Sequence, residues 1–366
     1  MGARRCALLC LAATGALGSP PIDPNDRRRR QPPRPWMIPG KRGGRARAPS
    51  ELCPGGVPGE QARAALNAQT ACEMCGSSYG PWAAATRAKS ACSFANGVRI
   101  YAADAEPAQL RRYAAAPHLH EPHEERLFVL LLHEAPAGSV FVDVGAALGY
   151  YCALAARLRP YVEVHALNPS PSFVAKLAAT VALNGGAAMP FADWDAAGRP
   201  PVQPGRVVQH PYGVGAAEGQ FVFSDGFAGR IGGAHGARLN GTVPVKTFDA
   251  LVRDCLRAPA QDVWLMMMDI QTFEGEVLES AGFRKAADKI AHLIVGVHDH
   301  LKPGPDGSWT KADMLRRIRR AVERGSRLRL HFAELNDPTQ PDGVALFTRF
   351  PADHGSLRGI PVKVFE

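Results

Sequence analysis

Apolar and polar positions alternate along residues 106–366 with two periods, which predict strands and helices in turn. Continuous apolar runs predict buried strands at residues 139–144, 162–167, 263–270 and 292–297. The stretches that follow carry their apolar residues at helical spacing. Strands that are apolar along their whole length and alternate with helices are typical of a parallel sheet covered on both faces. The pattern therefore predicts an α/β domain.

Shorter segments complete this predicted sheet. The predicted helices are residues 150–159, 172–183, 274–281 and 311–324. A further strand is predicted at residues 206–209, and an added hairpin or edge pair at 220–224 and 243–247. Two closing strands are predicted at 328–334 and 344–350. Two consecutive strands at the end of a parallel sheet indicate an antiparallel hairpin. We expect a Rossmann-like fold with a seven-stranded, mostly parallel sheet and an antiparallel edge hairpin.

The excess of basic residues is concentrated in one segment. The chain has a net charge of +9, and residues 19–50 carry nine Lys and Arg but only two Asp. A basic segment rich in Pro and Gly is typical of a flexible linker, and contact with an anionic surface is the alternative. Because the rest of the chain is close to neutral, we expect no specific nucleic-acid partner.

The first 18 residues have the pattern of a secretory signal peptide. Arg4 and Arg5 precede a short apolar stretch, and small residues follow it. A transit peptide or an uncleaved anchor is the alternative. No apolar run elsewhere is long enough to predict a membrane span. The predicted organisation is a signal peptide over residues 1–18, a linker over 19–50, a small Cys-containing module over 51–105 and a main domain over 106–366.

Cysteine positions fit a chain that enters an oxidising compartment. Cys53, Cys72, Cys75 and Cys92 form an even set, which indicates two disulfides. A zinc site is the alternative, because Cys72 and Cys75 have C-x2-C spacing. The isolated Cys152 and Cys255 lie among apolar residues and are expected to be buried free thiols. The sequon at residues 240–242 predicts a glycoprotein.

A glycine-containing loop follows the first strand of the main domain. It carries five candidate cofactor-binding residues, Asp143, Gly145, Ala146, Gly149 and Tyr150. Glycines allow the backbone to turn tightly and to approach a ligand, and ligands bind at the carboxyl ends of parallel strands. The loop lacks the G-x-G-x-x-G dinucleotide pattern and suits the methionine part of an adenosyl cofactor. An ordinary strand–turn–helix connection is the alternative.

Polar residues end three other strands. Asn168 ends the second strand and is a candidate for hydrogen bonds to ribose hydroxyls; a turn initiator is the alternative. Asp269 ends the 263–270 strand and is a candidate catalytic residue, or a helix cap. His298 is a candidate base. Because the alternate histidines His298 and His300 lie on one face and Asp299 on the other, no metal site is predicted.

Four of these segments resemble the FkbM-like methyltransferases in order and spacing: residues 143–150, 166–169, 243–249 and 268–278. The resemblance implies a class I methyltransferase fold, S-adenosylmethionine as cofactor, and O-methylation of a sugar or small-molecule acceptor. Asp269 could also bind the methionine amine of that cofactor. The resemblance covers residues 121–366.

The sequence departs from the family at several positions of the proposed chemistry. The family usually has a carboxylate at Asn168, Lys at Met267, Glu at Gln271, Gly at Thr272 and often Glu at Gly296. These differences leave open a second interpretation, that of a secreted, non-catalytic binding protein that retains the methyltransferase fold. An NAD-dependent enzyme is disfavoured by the missing dinucleotide pattern.

Overall fold

The structure is a computed structural model that describes residues 91–94, 96–105, 109, 113, 120–224, 239–271, 273–298, 310–337 and 342–363, with side chains at all of these except 92, 93, 224, 239 and 240. The predicted signal peptide and linker, together with Cys53, Cys72 and Cys75, lie outside these residues, as do Thr272, Asp299 and His300. The side chains of Cys92 and Asn240 also lie outside them, so the disulfides and the glycosylation stay predictions.

Thirteen strands and eight α-helices occur in the described part of the chain. The strands are β1 (Ala91–Ser93), β2 (Arg99–Tyr101), β3 (Val140–Val144), β4 (Glu163–Leu167), β5 (Ala187–Pro190), β6 (Arg206–His210), β7 (Gly213–Gly215), β8 (Gly219–Ser224), β9 (Leu239–Thr247), β10 (Val263–Met268), β11 (Ile290–Val297), β12 (Arg329–Glu334) and β13 (Gly343–Thr348). The helices are α1 (Pro122–His133), α2 (Tyr150–Leu158), α3 (Pro171–Leu183), α4 (Phe191–Ala196), α5 (Phe248–Cys255), α6 (Glu274–Glu279), α7 (Ala281–Ala286) and α8 (Lys311–Gly325).

The main sheet has the order β12-β13-β11-β10-β3-β4-β6-β5. Every neighbouring pair is parallel except the two that involve β13, which is antiparallel to both β11 and β12. The predicted Rossmann-like fold with an antiparallel edge hairpin is therefore confirmed. The predicted number of seven strands is wrong by one, because the short β5 extends the other edge. Its four residues, Ala-Ala-Met-Pro, include none with a high strand preference, and none of them is fully buried.

A second, three-stranded sheet has the order β7-β9-β8. Its strands β8 and β9 are antiparallel, as expected for the added hairpin over residues 220–224 and 243–247. Phe223, Val243 and Val245 form a small apolar cluster of their own. The hairpin thus belongs to a sheet of its own and is not an edge pair of the main sheet.

Helices cover both faces of the main sheet. Phe141 and Met267 pack on one face with residues of α1, α2 and α3. Their neighbours Val142 and Met268 pack on the other face with residues of α5, α6, α7 and α8. Because side chains alternate across a strand, both faces are buried, and this explains why the central strands read as continuous apolar runs. No helix in the described residues is both long and apolar enough to cross a membrane.

The described end of the predicted Cys-containing module shares a core with the main domain. Strands β1 and β2 pair with each other, and Phe94, Val98 and Ile100 belong to the same apolar cluster as Leu127. The described residues before 105 thus pack as part of the main domain's core. The remainder of the module lies outside the described residues, so its boundary stays a prediction.

Candidate functional site

The predicted site residues gather where the strand order reverses. The chain runs outward from β3 to β4 and β6, and then returns to β10 on the other side of β3. Ligands bind α/β sheets in the crevice at such a switch point, beyond the carboxyl ends of the strands. Asp269 follows β10, and its N–H donates to the carbonyl of Val144 at 2.9 Å. The glycine loop and Asp269 are therefore adjacent.

Gly145 is required by the contact between these two loops. Its φ of +95° is in the left-handed region, and a Cβ built on it would lie 1.9 Å from the carbonyl oxygen of Asp269. From the sequence, a ligand was expected to require glycine here. The structure shows a protein backbone at the same place, so any side chain at position 145 would displace Asp269 whether or not a ligand is bound.

The rest of the loop leads into α2. Gly149 adopts a left-handed conformation as the residue before this helix, and Ala147 has a φ of +42° without being glycine. Such conformations cost free energy and concentrate at binding sites. Ala146 is buried. The Tyr150 hydroxyl donates to a Glu125 carboxylate oxygen at 2.7 Å, so this side chain already has a partner within the protein.

Asp143 is a buried carboxyl group beside the loop. Burial raises its pKa to about 7, opposed by a hydrogen bond from Cys152 and reinforced by the nearby Asp269 and Glu121. The thiol of Cys152 donates to Asp143 Oδ2 at 3.2 Å. Met267 pairs with Asp143 in the register of β10 and β3, at the position where the resembling family usually has Lys. The neighbouring strand thus supplies no cation to this carboxyl from that position.

Asp269, Glu274 and His298 form one cluster. His298 Nε2 lies 3.2 Å from Asp269 Oδ1, and His298 Nδ1 lies 3.2 Å from Glu274 Oε1. The same Glu274 oxygen accepts from the N–H of Ile270 at 2.8 Å. Glu274 and His298 have no exposed side-chain surface, whereas 32% of the Asp269 side chain is exposed. Asp269 is therefore the member of the cluster that a ligand can reach.

The cluster favours a charged imidazole. Burial alone lowers the pKa of His298, but Glu274 and Asp269 outweigh it and raise that pKa well above its usual value. The base role predicted for His298 requires a neutral ring, whereas an imidazolium stabilises the two carboxylates. In the described part of the chain these three residues offer ligand atoms for a metal ion within 4.8 Å of one another. The charged His298 ring, however, already supplies the positive charge that the two carboxylates require.

Two neighbouring residues shape this cluster. Gln271 has a φ of +55° and donates from Nε2 to Asp269 Oδ1 at 3.0 Å. A Cβ on Gly296 would lie 2.7 Å from His298 Cε1, so the His298 ring occupies the space beside this position, where the resembling family often has Glu. Phe273 occupies the N-cap position of α6 and makes no side-chain capping bond, so Asp269 does not lie at the cap position considered from the sequence.

Three further residues with carboxyl groups, Glu121, Glu124 and Asp342, belong to the site and were not predicted from the sequence. Burial raises the pKa of Glu124 well above its usual value, and Glu121, Asp269 and Asp342 add to the shift. Glu121 and Glu124 lie at the start of α1, where acidic residues are common for electrostatic reasons. Only their burial distinguishes them, and burial is a result of tertiary packing.

Asn168 lies at the same edge of the sheet, at the end of β4. Its side-chain oxygen accepts from the N–H of Ser170 at 3.0 Å, and its own N–H donates to the carbonyl of His210 at 3.1 Å. The first bond is the turn considered from the sequence. An amide oxygen has a second lone pair, so hydrogen bonding to a ribose hydroxyl stays a prediction.

Comparisons with known proteins give only distant similarities. No family model matches the chain, and no curated protein matches it at a significant level, so the resemblance to FkbM-like methyltransferases stays a prediction. Similar solved structures include a TehB-like S-adenosylmethionine-dependent methyltransferase from Corynebacterium glutamicum, at 13% identity over 66% of this chain and 94% of that chain with a TM-score of 0.33.

Two others are O-methyltransferases. The enzyme TomG from Streptomyces achromogenes, in complex with S-adenosylmethionine, is 17% identical over 66% of this chain and 86% of that chain, with a TM-score of 0.37. The enzyme from Bacillus cereus, in complex with S-adenosylhomocysteine, is 11% identical over 67% and 92%, with a TM-score of 0.37. The chain is thus similar to S-adenosylmethionine-dependent methyltransferases, at a distance too great to carry an argument about its own activity.

Proposed function

We propose that this chain is an S-adenosylmethionine-dependent methyltransferase that acts on a hydroxyl oxygen of a sugar or small-molecule acceptor. The observation that carries the proposal is a group of buried carboxyl groups beside a glycine loop at the switch point of the sheet. Glu124 and Asp143 both have raised pKa values there because burial and neighbouring carboxylates disfavour their charged forms. A cationic ligand would relieve that repulsion.

The residues present fit this cofactor. When bound, it would supply an electrophilic methyl group on a positively charged sulfonium. The loop from Asp143 to Gly149 would lie against its methionine part, and Asp143, whose charged form a cation would favour, would pair with the methionine amine. Asn168, at the end of the neighbouring strand, would accept from a ribose hydroxyl with the lone pair that Ser170 leaves unused.

Asp269 is the residue that we assign to the acceptor. Its exposed carboxylate would accept a hydrogen bond from the acceptor hydroxyl and hold the oxygen in line with the methyl carbon. The same carboxylate would take up the hydroxyl proton when that oxygen is methylated. His298 and Gln271 hold the Asp269 side chain in one orientation through Oδ1, so they are positioning residues.

The test is methyl transfer by the full-length protein and by Asp269→Asn. Labelled S-adenosylmethionine is incubated with a panel of glycans and small hydroxyl compounds, and label in the products is counted. We expect turnover to fall by about 10²–10⁴ in Asp269→Asn, the usual contribution of a general base. The matched control is Asp262→Asn, because Asp262 lies at the opposite end of β10 in ion pairs with Arg349 and Lys289.

Two results would contradict the proposal. Equal turnover in wild type and Asp269→Asn would remove Asp269 from the reaction. Binding of the cofactor without transfer to any acceptor would favour the non-catalytic binding protein, for which the departures at Met267 and Gln271 are the supporting observation.

We further propose that the protein acts in the secretory pathway or outside the cell, and that its basic linker contacts anionic surfaces. Support comes from the sequence alone, from the apolar stretch after Arg4 and Arg5 and from the basic residues of 19–50. The N-terminal sequence of the mature protein and peptide mapping without reduction test this. A mature chain starting near Ser19 with two disulfides agrees, and an intact N-terminus with four free thiols contradicts it.

A further inference from the structure

A second cluster of ligand-type side chains lies inside the fold and shares no residue with the candidate methyltransferase site. His165 on β4, His210 at the end of β6 and Cys255 at the end of α5 are each fully buried. Each offers one nitrogen or sulfur atom, and these atoms lie within 4.8 Å of one another. Cys255 is a free thiol. Imidazole and thiolate are the ligands that zinc and copper(I) prefer.

The separations are close to those of a metal site. His165 Nδ1 and His210 Nε2 are 3.0 Å apart, and Cys255 Sγ is 3.9 Å from His210 Nε2. Tetrahedral zinc, with Zn–N of about 2.05 Å and Zn–S of about 2.3 Å, places two nitrogens about 3.4 Å apart and nitrogen and sulfur about 3.6 Å apart. Small rotations of these side chains would bring them to those values.

Hydrogen bonds already select the ligating atom of His210. The Tyr212 hydroxyl donates to Asp254 Oδ2 at 2.9 Å, and Lys246 also donates to that carboxylate. Because its proton goes to Asp254, the hydroxyl must accept from His210 Nδ1, 3.0 Å away. His210 Nε2 then presents its lone pair to His165 and Cys255. A carboxylate-anchored acceptor for the N–H of the second imidazole nitrogen is the usual support of a metal-ligating histidine.

The protein alone does not satisfy the cluster. His165 Nε2 is buried without a hydrogen-bond partner, and Cys255 approaches His210 only at the long distance given above. Because Nε2 has no partner that fixes its protonation, His165 can carry its proton there and leave the Nδ1 lone pair free as a ligand. A bound cation would exchange one imidazole–imidazole hydrogen bond for three coordinate bonds.

We propose that His165 Nδ1, His210 Nε2 and Cys255 Sγ bind one thiophilic metal ion. Cys255 binds as the thiolate, and its proton is released to solvent. The ion links β4, β6 and α5, and through the His210 carbonyl it fixes the N–H of Asn168 at the end of β4. Zinc would keep a fourth position for a non-protein ligand, whereas copper(I) would balance the thiolate charge with three ligands.

The experiment measures the metal content of the full-length protein by elemental analysis, in wild type, Cys255→Ala and Cys152→Ala. Cys152 is the matched control, because it is the other free thiol that is buried in the described part of the chain. Since Cys53, Cys72, Cys75 and Cys92 could hold metal independently, the quantity that counts is the difference between variants. We expect about one equivalent to be lost in Cys255→Ala and none in Cys152→Ala, and the element that is lost identifies the ion as zinc or copper.

A second variant keeps the test valid if Cys255→Ala does not fold. Tyr212→Phe preserves the ring but removes the hydroxyl that orients His210, and loss of such a partner weakens metal affinity about 10–100-fold. Affinity is measured by competition with a chelator, and cobalt(II) substitution should give a thiolate charge-transfer band in wild type and in Cys152→Ala. Equal metal content in all variants, or equal affinity and no thiolate band in Tyr212→Phe and wild type, would overturn the proposal.

Discussion

At the scale of single residues, the contact between Gly145 and Asp269 is the strongest steric constraint on the site. We expect Gly145→Ala to lower the free energy of unfolding by about 4 kcal/mol or more, because the methyl group overlaps a backbone carbonyl that no rotamer can move. The matched control is Gly138→Ala. Gly138 also has a positive φ, of +76°, but nothing lies within 4 Å of its Cβ position.

Gly138→Ala should lower the free energy of unfolding by about 1–2 kcal/mol, which is the cost of placing alanine in a left-handed conformation alone. Urea denaturation of both variants measures the difference. Equal midpoints would mean that the two loops do not approach each other as closely as the structure shows.

His298 provides a test by pH. Its pKa is raised well above the usual value of about 6.5 by Glu274 and Asp269, against burial. The stabilisation from this ion pair is therefore complete below about pH 6.5 and is lost as the pH rises through the raised pKa. We expect His298→Gln to cost about 3–5 kcal/mol at pH 6, because it leaves buried Glu274 unpaired, and less at higher pH. Urea midpoints that differ equally at pH 6 and pH 9 would exclude the charged imidazole.

Asp143 provides a second test by pH, in which removal of the charge should raise the free energy of unfolding. Its pKa of about 7 is above the value of about 3.9 in an unfolded chain, so the charged form costs stability that grows from pH 4 to pH 7. Asp143→Asn should be more stable than wild type at pH 8, by up to about 4 kcal/mol, and should lose that advantage below pH 4. Thermal unfolding at the two pH values measures this. A variant less stable than wild type at pH 8 would contradict the assignment of a strained, ligand-directed carboxylate.

At the scale of elements, periodicity located the strands of the main sheet except β5, and the reason is burial. All eight residues of β11 are buried, and such a strand must be apolar whichever way it faces. The helix α1 was not predicted, because its first turn buries Glu124 and Glu125 and breaks the apolar stripe. The short β5 was missed because an edge strand is only partly buried, and its four residues therefore need not be residues with a high strand preference.

The turn between β4 and α3 gives a prediction at this scale. Asn168→Asp keeps the acceptor for the Ser170 N–H, and its charge should strengthen hydrogen bonds to a ribose by about 1 kcal/mol, or several-fold in cofactor affinity. Asn168→Ala should lose about 1 kcal/mol of stability together with the turn. Calorimetric titration with the cofactor, and with an analogue that lacks both ribose hydroxyls, measures the effect. The same gain with the analogue would show that Asn168 has no contact with a ribose.

At the scale of the whole molecule, the sequence located only the parts of the site that follow strands. The ends of β3, β4 and β10 could be predicted to lie at one edge, because parallel strands place their carboxyl ends together. Glu121 and Asp342 are more than 200 residues apart in sequence yet both act on the pKa of Glu124. No local sequence pattern predicts that proximity, because it arises only when α1 packs against the sheet that contains β13.

In the proposed function, the crevice at the reversal of strand order binds S-adenosylmethionine. Hydrogen exchange of the full-length protein, measured by mass spectrometry with and without saturating cofactor, tests it most directly. We predict micromolar binding, about −8 kcal/mol, and new protection at residues 143–150, 167–170 and 268–274, with β8 and β9 unchanged. Protection elsewhere in the chain, or none at millimolar cofactor, would contradict the account.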